Sequence, residues 1–236
     1  VTEYGYGFNR DSFGSLFLFC YTETMTEKKD WKLWHGLYND GNSSQAQRLA
    51  LVQQAIFDSL PDTSLSKYQI VDICAGDGRD LLNVLAEHTH RDSVHSYLVE
   101  LDHNLATEAI KTSDEHGLNN VTVVIDDASL PRVYRDVVPA DLILLCGVFG
   151  NISKEDVEHI IRTLPQFSKK ETTVIWTQNL RKPELVTTTR ELFHAFNFDE
   201  ISFKTTDDSS YGVGVHSYAG KTKELNIDNK LFTFIK

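Results

Sequence analysis

Apolar residues recur along this chain with two alternating periods. Between positions 43 and 60, Ala46, Leu49, Ala50, Val52, Ile56, Phe57 and Leu60, with Gln53 among them, fall mostly on one face of a helix. Asn42, Ser43 and Ser44 supply a start signal and Pro61 a stop. Beyond this helix, apolar runs of strand length alternate with helical patterns. The runs at 69–74, 96–101, 121–125, 141–146 and 172–177 are apolar on both faces, and helices are expected at 79–87, 104–116, 154–164 and 183–196. Strands without a polar face, separated by helices, imply a parallel sheet covered on both sides. After Phe198 two strand patterns, 199–206 and 212–218, follow one another across a turn-rich stretch with no helix between them, which predicts an antiparallel pair closing the sheet. A last run, 231–235, is expected to add an edge strand. The predicted fold is α/β: a Rossmann-like, doubly wound, mostly parallel sheet with an antiparallel C-terminal strand pair, in three α/β/α layers with an N-terminal helical extension.

Composition narrows the use of such a fold. The chain has 236 residues, 41% hydrophobic and 24% charged, enough to bury a full core in one large domain. Lys and Arg number 23 against 34 Asp and Glu, a net charge of -11 that argues against gripping a phosphate backbone. The basic pairs Lys28–Lys29, Lys169–Lys170 and Arg181–Lys182 are scattered. Cys20, Cys74 and Cys146 have no CxxC or metal-ligand spacing, so no metal site is expected and a reducing cytoplasm fits. The apolar run 13–21 is too short to span a bilayer and lacks the flanks of a signal peptide. The one methionine is Met25, so residues 1–24 read either as an extension upstream of the natural start or as an N-terminal flap. The expected organisation is an extension over 1–30, a helical lid over 31–62 and a ligand-binding domain over 63–236.

Chemistry concentrates where the first apolar strand hands over to a helix, in Asp72-Ile73-Cys74-Ala75-Gly76-Asp77-Gly78-Arg79-Asp80. Bare backbone at such a junction lets a nucleotide-like ligand approach a helix N-terminus. A dinucleotide fingerprint would need a small residue at position 81, but Leu81 stands there, which disfavours NAD.

The segment Asp72 to Gly78 resembles motif I of the class I S-adenosylmethionine-dependent methyltransferases, with Cys74 in place of the motif's first glycine. The stretches CAGDGRDLL, LLCGVFGN, VIWT and GVGVH are similar to a bacterial subgroup of that family, and the resemblance spans residues 31–236. It implies that Asp72, Cys74, Ala75, Gly76, Asp77 and Gly78 hold the methionine end of S-adenosylmethionine. Asp72 would orient that end directly or through water; the cofactor's carboxylate suits convergent loop amides and its ammonium group suits nearby acceptors. Glu100, with Leu101 beside it at the end of the second strand, matches the ribose-binding acid, while Asp102 starts the next helix as its cap. Asp126-Asp127-Ala128 is similar to the Gly-Asp-Ala segment whose acid accepts from the adenine amino group, and Asp127 is the matching residue. Cys146, Gly147 and Val148 would line the cofactor's outer side.

The acceptor half is less legible. Methyl transfer from a sulfonium is an in-line displacement in which positioning and exclusion of water do much of the work. A hydroxyl or ammonium acceptor would gain from a base. His216, in Gly212-Val213-Gly214-Val215-His216, is read as that base or as a core histidine. His35, in an aromatic stretch from Trp31 to Tyr38, is the second candidate, and Tyr38, Asp40 and Arg48 are candidate lid contacts. Gly150-Asn151-Ile152-Ser153 stands where an Asn-Pro-Pro-Tyr-type segment would mark amino-methylating DNA and glutamine modifiers, so a small-molecule acceptor is expected. The alternatives are a nicotinamide oxidoreductase of Rossmann type and a regulatory protein that binds S-adenosylmethionine without turnover.

Overall fold

The computed structural model describes residues 43–63 and 67–235. The first helix, α1 (Ser44–Ser59), is capped by the Ser43 side chain, which accepts from the Ala46 amide. A seven-stranded sheet follows: β1 (Tyr68–Ile73), β2 (Val94–Glu100), β3 (Val121–Ile125), β4 (Ala140–Leu145), β5 (Ser168–Asn179), β6 (Phe198–Thr205) and β7 (Tyr211–Tyr218). The intervening helices are α2 (Leu82–Glu87), α3 (His103–Glu115), α4 (Lys154–Thr163) and α5 (Pro183–Ala195). The strand order is β3-β2-β1-β4-β5-β7-β6, with β1 to β5 parallel and β7 antiparallel to both β5 and β6.

Every residue of β1 is buried, as a strand covered on both faces requires. Alternate side chains sort onto two cores. Val71, Ile73, Ile143, Leu145, Val174 and Trp176 enter one core, which includes Ile160 and Ile161 of α4 and Phe193 of α5. Ile70, Leu142, Leu144 and Ile175 enter the other, under Val52 and Ile56 of α1 and Leu82 and Leu85 of α2. The antiparallel pair is present, but the last strand inserts between β5 and β6, a choice that the strand pattern alone leaves open.

Three expectations are corrected. The helix expected at 79–87 begins at Leu82, because the Asp77 carboxylate accepts from the Arg79 backbone and side chain and holds residues 77–79 in a turn. The run 231–235 forms no edge strand. It makes one isolated bridge, Ile152 to Phe234, while Leu231 and Phe232 plug the core beside α4 and α5. The inner face of α1 is the row Arg48, Val52 and Ile56, spaced four apart, and Phe57 is 54% exposed. Residues 1–42, including Trp31, His35, Tyr38 and Asp40, lie outside the described residues.

Candidate active site

The chain turns in opposite directions on leaving β1 and β4, which lie side by side at the centre of the sheet. Their carboxyl ends therefore flank a topological switch point, the place where open α/β sheets bind ligands. The glycine loop leaves β1 there with Cys74, Gly76 and Gly78 at φ of 64°, 61° and 71°. Cys74 thus adopts a left-handed backbone of the kind that favours glycine, at a cost of roughly 1–2 kcal/mol for a residue with a Cβ. Gly78 has a further reason to be glycine: a Cβ there would stand 2.6 Å from Leu82 Cδ1. Leu81 is fully buried beside Val52 and Ile56, so its bulk belongs to the core packed under α1.

Asp72 is 2% exposed and accepts no hydrogen bond from a described residue. Burial, with Asp80 and Glu100 nearby, pushes its carboxyl well above the usual carboxylate range. Across the loop, Glu100 at the end of β2 accepts from the Gly76 amide at 2.8 Å and, through its other oxygen, from the Asp102 amide at 2.8 Å. Both oxygens retain lone-pair capacity for a diol. Asp102 caps α3 as expected, accepting from Asn104 and Leu105. Leu101 is 65% exposed beside it, an apolar surface open to a flat ring.

The expectation of convergent loop amides is corrected. The amides of Ala75, Gly76 and Gly78 are already engaged, by Val99 O at 3.1 Å, Glu100 and Ala75 O at 3.0 Å. These three loop amides are thus satisfied within the protein. Asp127 is partly engaged too: one oxygen accepts from the Ser129 amide and hydroxyl, the other from Lys230 Nζ at 2.8 Å. Burial opposes ionisation of Asp127, yet these hydrogen bonds hold its carboxyl below the usual range. Asp126 pairs with Arg132 instead, so the two adjacent acids have different partners. Ala128 is buried, its carbonyl accepting from Tyr134 Oη.

At the end of β4, Gly147 has a φ of 81° and its amide donates to Thr177 Oγ1 at 2.8 Å. Val148 is 1% exposed and packs into the core, so only its backbone can face a ligand. The Cys146 thiol lies against the Asp80 carboxylate, and burial pushes the thiols of both Cys146 and Cys74 up, leaving them protonated. Neither is poised as a nucleophile.

His216 is not at the switch point. It pairs with Val174 in the middle of the sheet, is 1% exposed, stacks on Phe193 at 4.3 Å between centroids, and accepts from Trp176 Nε1 through Nδ1 at 3.1 Å. Burial drives its pKa down to about 4. Of its two readings the core histidine is the one with the geometry. Gly214 exists for the same indole: a Cβ there would stand 2.3 Å from Trp176 Cε2.

Arg48 is the residue whose importance the sequence understated. It is 4% exposed, its guanidinium reaching to 3.5 Å from Thr177 Oγ1 and lying 5.9 Å from the centre of the Tyr211 ring. Its helix is tied to the turn after β6 by Ser44 with Asp208 and by Gln47 with the Asp207 amide. Beside it, over the ends of β4, β5 and β7, opens a cavity of about 430 Å³ lined by Arg48, Gly147, Thr177, Asn179, Arg181 and Tyr211 among others. Lys230 and Arg132, the partners of the two acids after β3, were also missed, since nothing in the sequence couples either residue to its acid. Among the described residues no cluster of His, Cys, Asp and Glu could hold a metal ion, and no helix is long and apolar enough to cross a membrane.

No protein-family model matches the sequence, and no curated protein is similar enough to count as a relative. Solved structures are similar in fold. Magnesium protoporphyrin IX methyltransferase from Synechocystis, with bound SAM, superimposes with a TM-score of 0.61 at 13% identity, covering 80% of this chain and 91% of that one. An O-methyltransferase family 2 protein from Planctomyces limnophilus in complex with apigenin gives 0.57 at 14% identity, over 75% and 60% of the two chains. Fibrillarin in its complex with Nop5p gives 0.56 at 18% identity, over 75% and 84%. Strand order, glycine loop and these likenesses together show that the chain has the fold of the class I S-adenosylmethionine-dependent methyltransferases.

Proposed function

We propose that the protein transfers a methyl group from S-adenosylmethionine to a small-molecule acceptor. The observation that carries this reading is Asp72: a carboxylate 2% exposed, at the glycine loop, with no described donor, and flanked by Asp80 and Glu100. Such a site favours a ligand that brings positive charge. S-adenosylmethionine brings an ammonium and a sulfonium, whereas a dinucleotide would bring a pyrophosphate dianion into the same field. The residues present therefore fit the methyl donor and oppose NAD.

In this reading Asp72 holds the ammonium group, the loop of Cys74, Ala75, Gly76, Asp77 and Gly78 lies along the methionine chain, and Glu100 accepts from the ribose diol. Leu101, Asp126, Asp127 and Ala128 surround the adenine. The backbone of Cys146, Gly147 and Val148 flanks the sulfur. When bound, the cofactor supplies a methyl carbon on a positively charged sulfur, a good leaving group. The protein's part is to hold the acceptor in line and exclude water. His216 has no place in that step.

Calorimetry tests the donor half. S-adenosylmethionine and its demethylated product should bind and NAD should not, and Glu100→Ala should weaken both by about tenfold or more, the loss of a charge-assisted contact. Preferential binding of NAD would sink the reading. Transfer of labelled methyl into a metabolite extract separates an enzyme from a binding protein without turnover.

A further inference from the structure

The cavity of about 430 Å³ lies on the other side of the switch point from the donor contacts. Those contacts stand over β1, β2 and β3; the cavity stands over β4, β5 and β7. The two meet at Gly147, which lines the cavity and directly follows Cys146. A space of this size suits a metabolite. Most ligand pockets are walled by apolar side chains, yet none of the described residues lining this one is aliphatic. Such a wall is built for a hydrophilic guest.

Three carboxamides stand in it, from Asn151, Gln178 and Asn179. Asn151 is 7% exposed; its Nδ2 donates to Gly147 O at 2.6 Å, and its Oδ1 has no described partner. Gln178 is 5% exposed; one end of its amide meets Thr189 Oγ1 at 3.2 Å, and the other end has no described partner. Asn179 is half-buried, with neither end of its amide engaged by a described residue. Leaving such atoms unpaired out of water is costly, and a guest that hydrogen-bonds them offsets the cost. Charge has a smaller part in this wall. The Arg48 guanidinium acts on the Asp80 carboxyl and so is matched within the protein. Arg181, the other cation, is exposed, where water and salt screen it, and no described lining residue is a carboxylate. A carboxamide carries a donor and an acceptor side by side, so three of them match a guest that presents both and needs no counter-charge.

We infer that the methyl acceptor is a neutral hydrophilic molecule, a vicinal polyol or an amide, whose paired donors and acceptors are read by Asn151, Gln178 and Asn179 in this cavity, with its nucleophilic atom directed toward Gly147. The inference rests on the methyl-transfer reading above and names its substrate class. In the transfer, the nucleophile's lone pair forms the new bond to the methyl carbon as the carbon–sulfur bond breaks. The electron pair of the broken bond returns to sulfur, turning the sulfonium into a thioether, and the proton carried by the nucleophile leaves to water. The groups held by the carboxamides are unchanged by the reaction. A molecule of the same shape without them leaves the buried amide ends unpaired, which is how such a site rejects it.

The test divides a metabolite extract by ion exchange at neutral pH into neutral, acidic and basic pools, and supplies each with the whole chain and methyl-labelled S-adenosylmethionine. Label should enter the neutral pool. Periodate treatment of that pool, quenched before the protein is added, abolishes labelling if the acceptor is a vicinal polyol and leaves it intact if it is an amide. Asn179→Leu, which keeps the size of the side chain and removes both ends of its amide, should require about tenfold more of the neutral pool for half-maximal rate, with the donor affinity unchanged within about twofold. If that variant does not fold, Gly150→Ala asks the same question with Asn179 in place: its Cβ would stand 3.0 Å from Asn179 Nδ2 and push the amide aside, raising the half-saturating amount in the same direction. Label in the acidic or basic pool, label in no pool, or an unshifted half-saturation in the folded variant overturns the neutral acceptor. Failure of S-adenosylmethionine to bind in calorimetry instead overturns the methyl-transfer reading itself, so the two failures are distinct.

Discussion

Gly78 and Gly117 make a matched pair for testing how the glycine loop is built. Both have positive φ, 71° and 63°, so alanine at either meets the same left-handed strain of roughly 1–2 kcal/mol. Alanine also restricts the unfolded chain equally at both, returning about 0.4–1 kcal/mol. The surroundings differ. At Gly117 an added Cβ has no atom within 4 Å, whereas at Gly78 it stands 2.6 Å from Leu82 Cδ1, 3.0 Å from Leu82 Cγ and 3.2 Å from Leu98 Cδ2. Leu82 and Leu98 are fully buried, so neither can swing aside without disturbing the core. Relieving such an overlap costs about 1–3 kcal/mol. Gly117→Ala should therefore lose roughly 0.5–1 kcal/mol, and Gly78→Ala about 2 kcal/mol more. Urea denaturation followed by circular dichroism measures both, with equal m-values confirming that the same surface unfolds. Equal losses for the two variants would refute the close packing of loop against helix.

Three further outcomes follow from the buried groups and the glycine loop. His216 has a pKa of about 4 in the folded protein against about 6.5 when unfolded, so the unfolded state takes up its proton first as pH falls. Stability should drop by roughly 2 kcal/mol between pH 7 and pH 5, and His216→Gln, which keeps an acceptor for Trp176 Nε1, should flatten that slope; an unchanged slope would show that other groups cause it. Asp72→Asn should raise the melting temperature at pH 7, because the native state disfavours its ionised form, while weakening S-adenosylmethionine about tenfold in calorimetry; the stability gain should fade as pH falls to the usual carboxylate range. Cys74→Gly removes left-handed strain but adds unfolded-chain freedom of similar size, so thermal unfolding should move by less than about 1 kcal/mol, and a large loss would mean that the thiol itself is needed.

The parts of the molecule that the sequence determined by itself are those governed by near neighbours along the chain. Residues apolar on both faces can only form a covered strand, Asp102 can reach the first amides of α3 from its own position, and a strand running into glycines must turn at that point. Even the departure at Cys74 was visible, although the left-handed backbone it adopts was not. What the tertiary structure decided are pairings across long stretches of chain, for which no local pattern exists. It put β7 between β5 and β6, joined Lys230 to Asp127, and set His216 under Trp176 in the core. It engaged the amides of Ala75, Gly76 and Gly78 internally, the Gly76 amide with Glu100 from the end of the next strand. It also turned Arg48, one polar position on an amphipathic helix, into the buried charge of a cavity, because the helix packs over the ends of β5 and β7. A residue's chemistry is written in the chain, but its charge state and its partners depend on which distant segments exclude water from it.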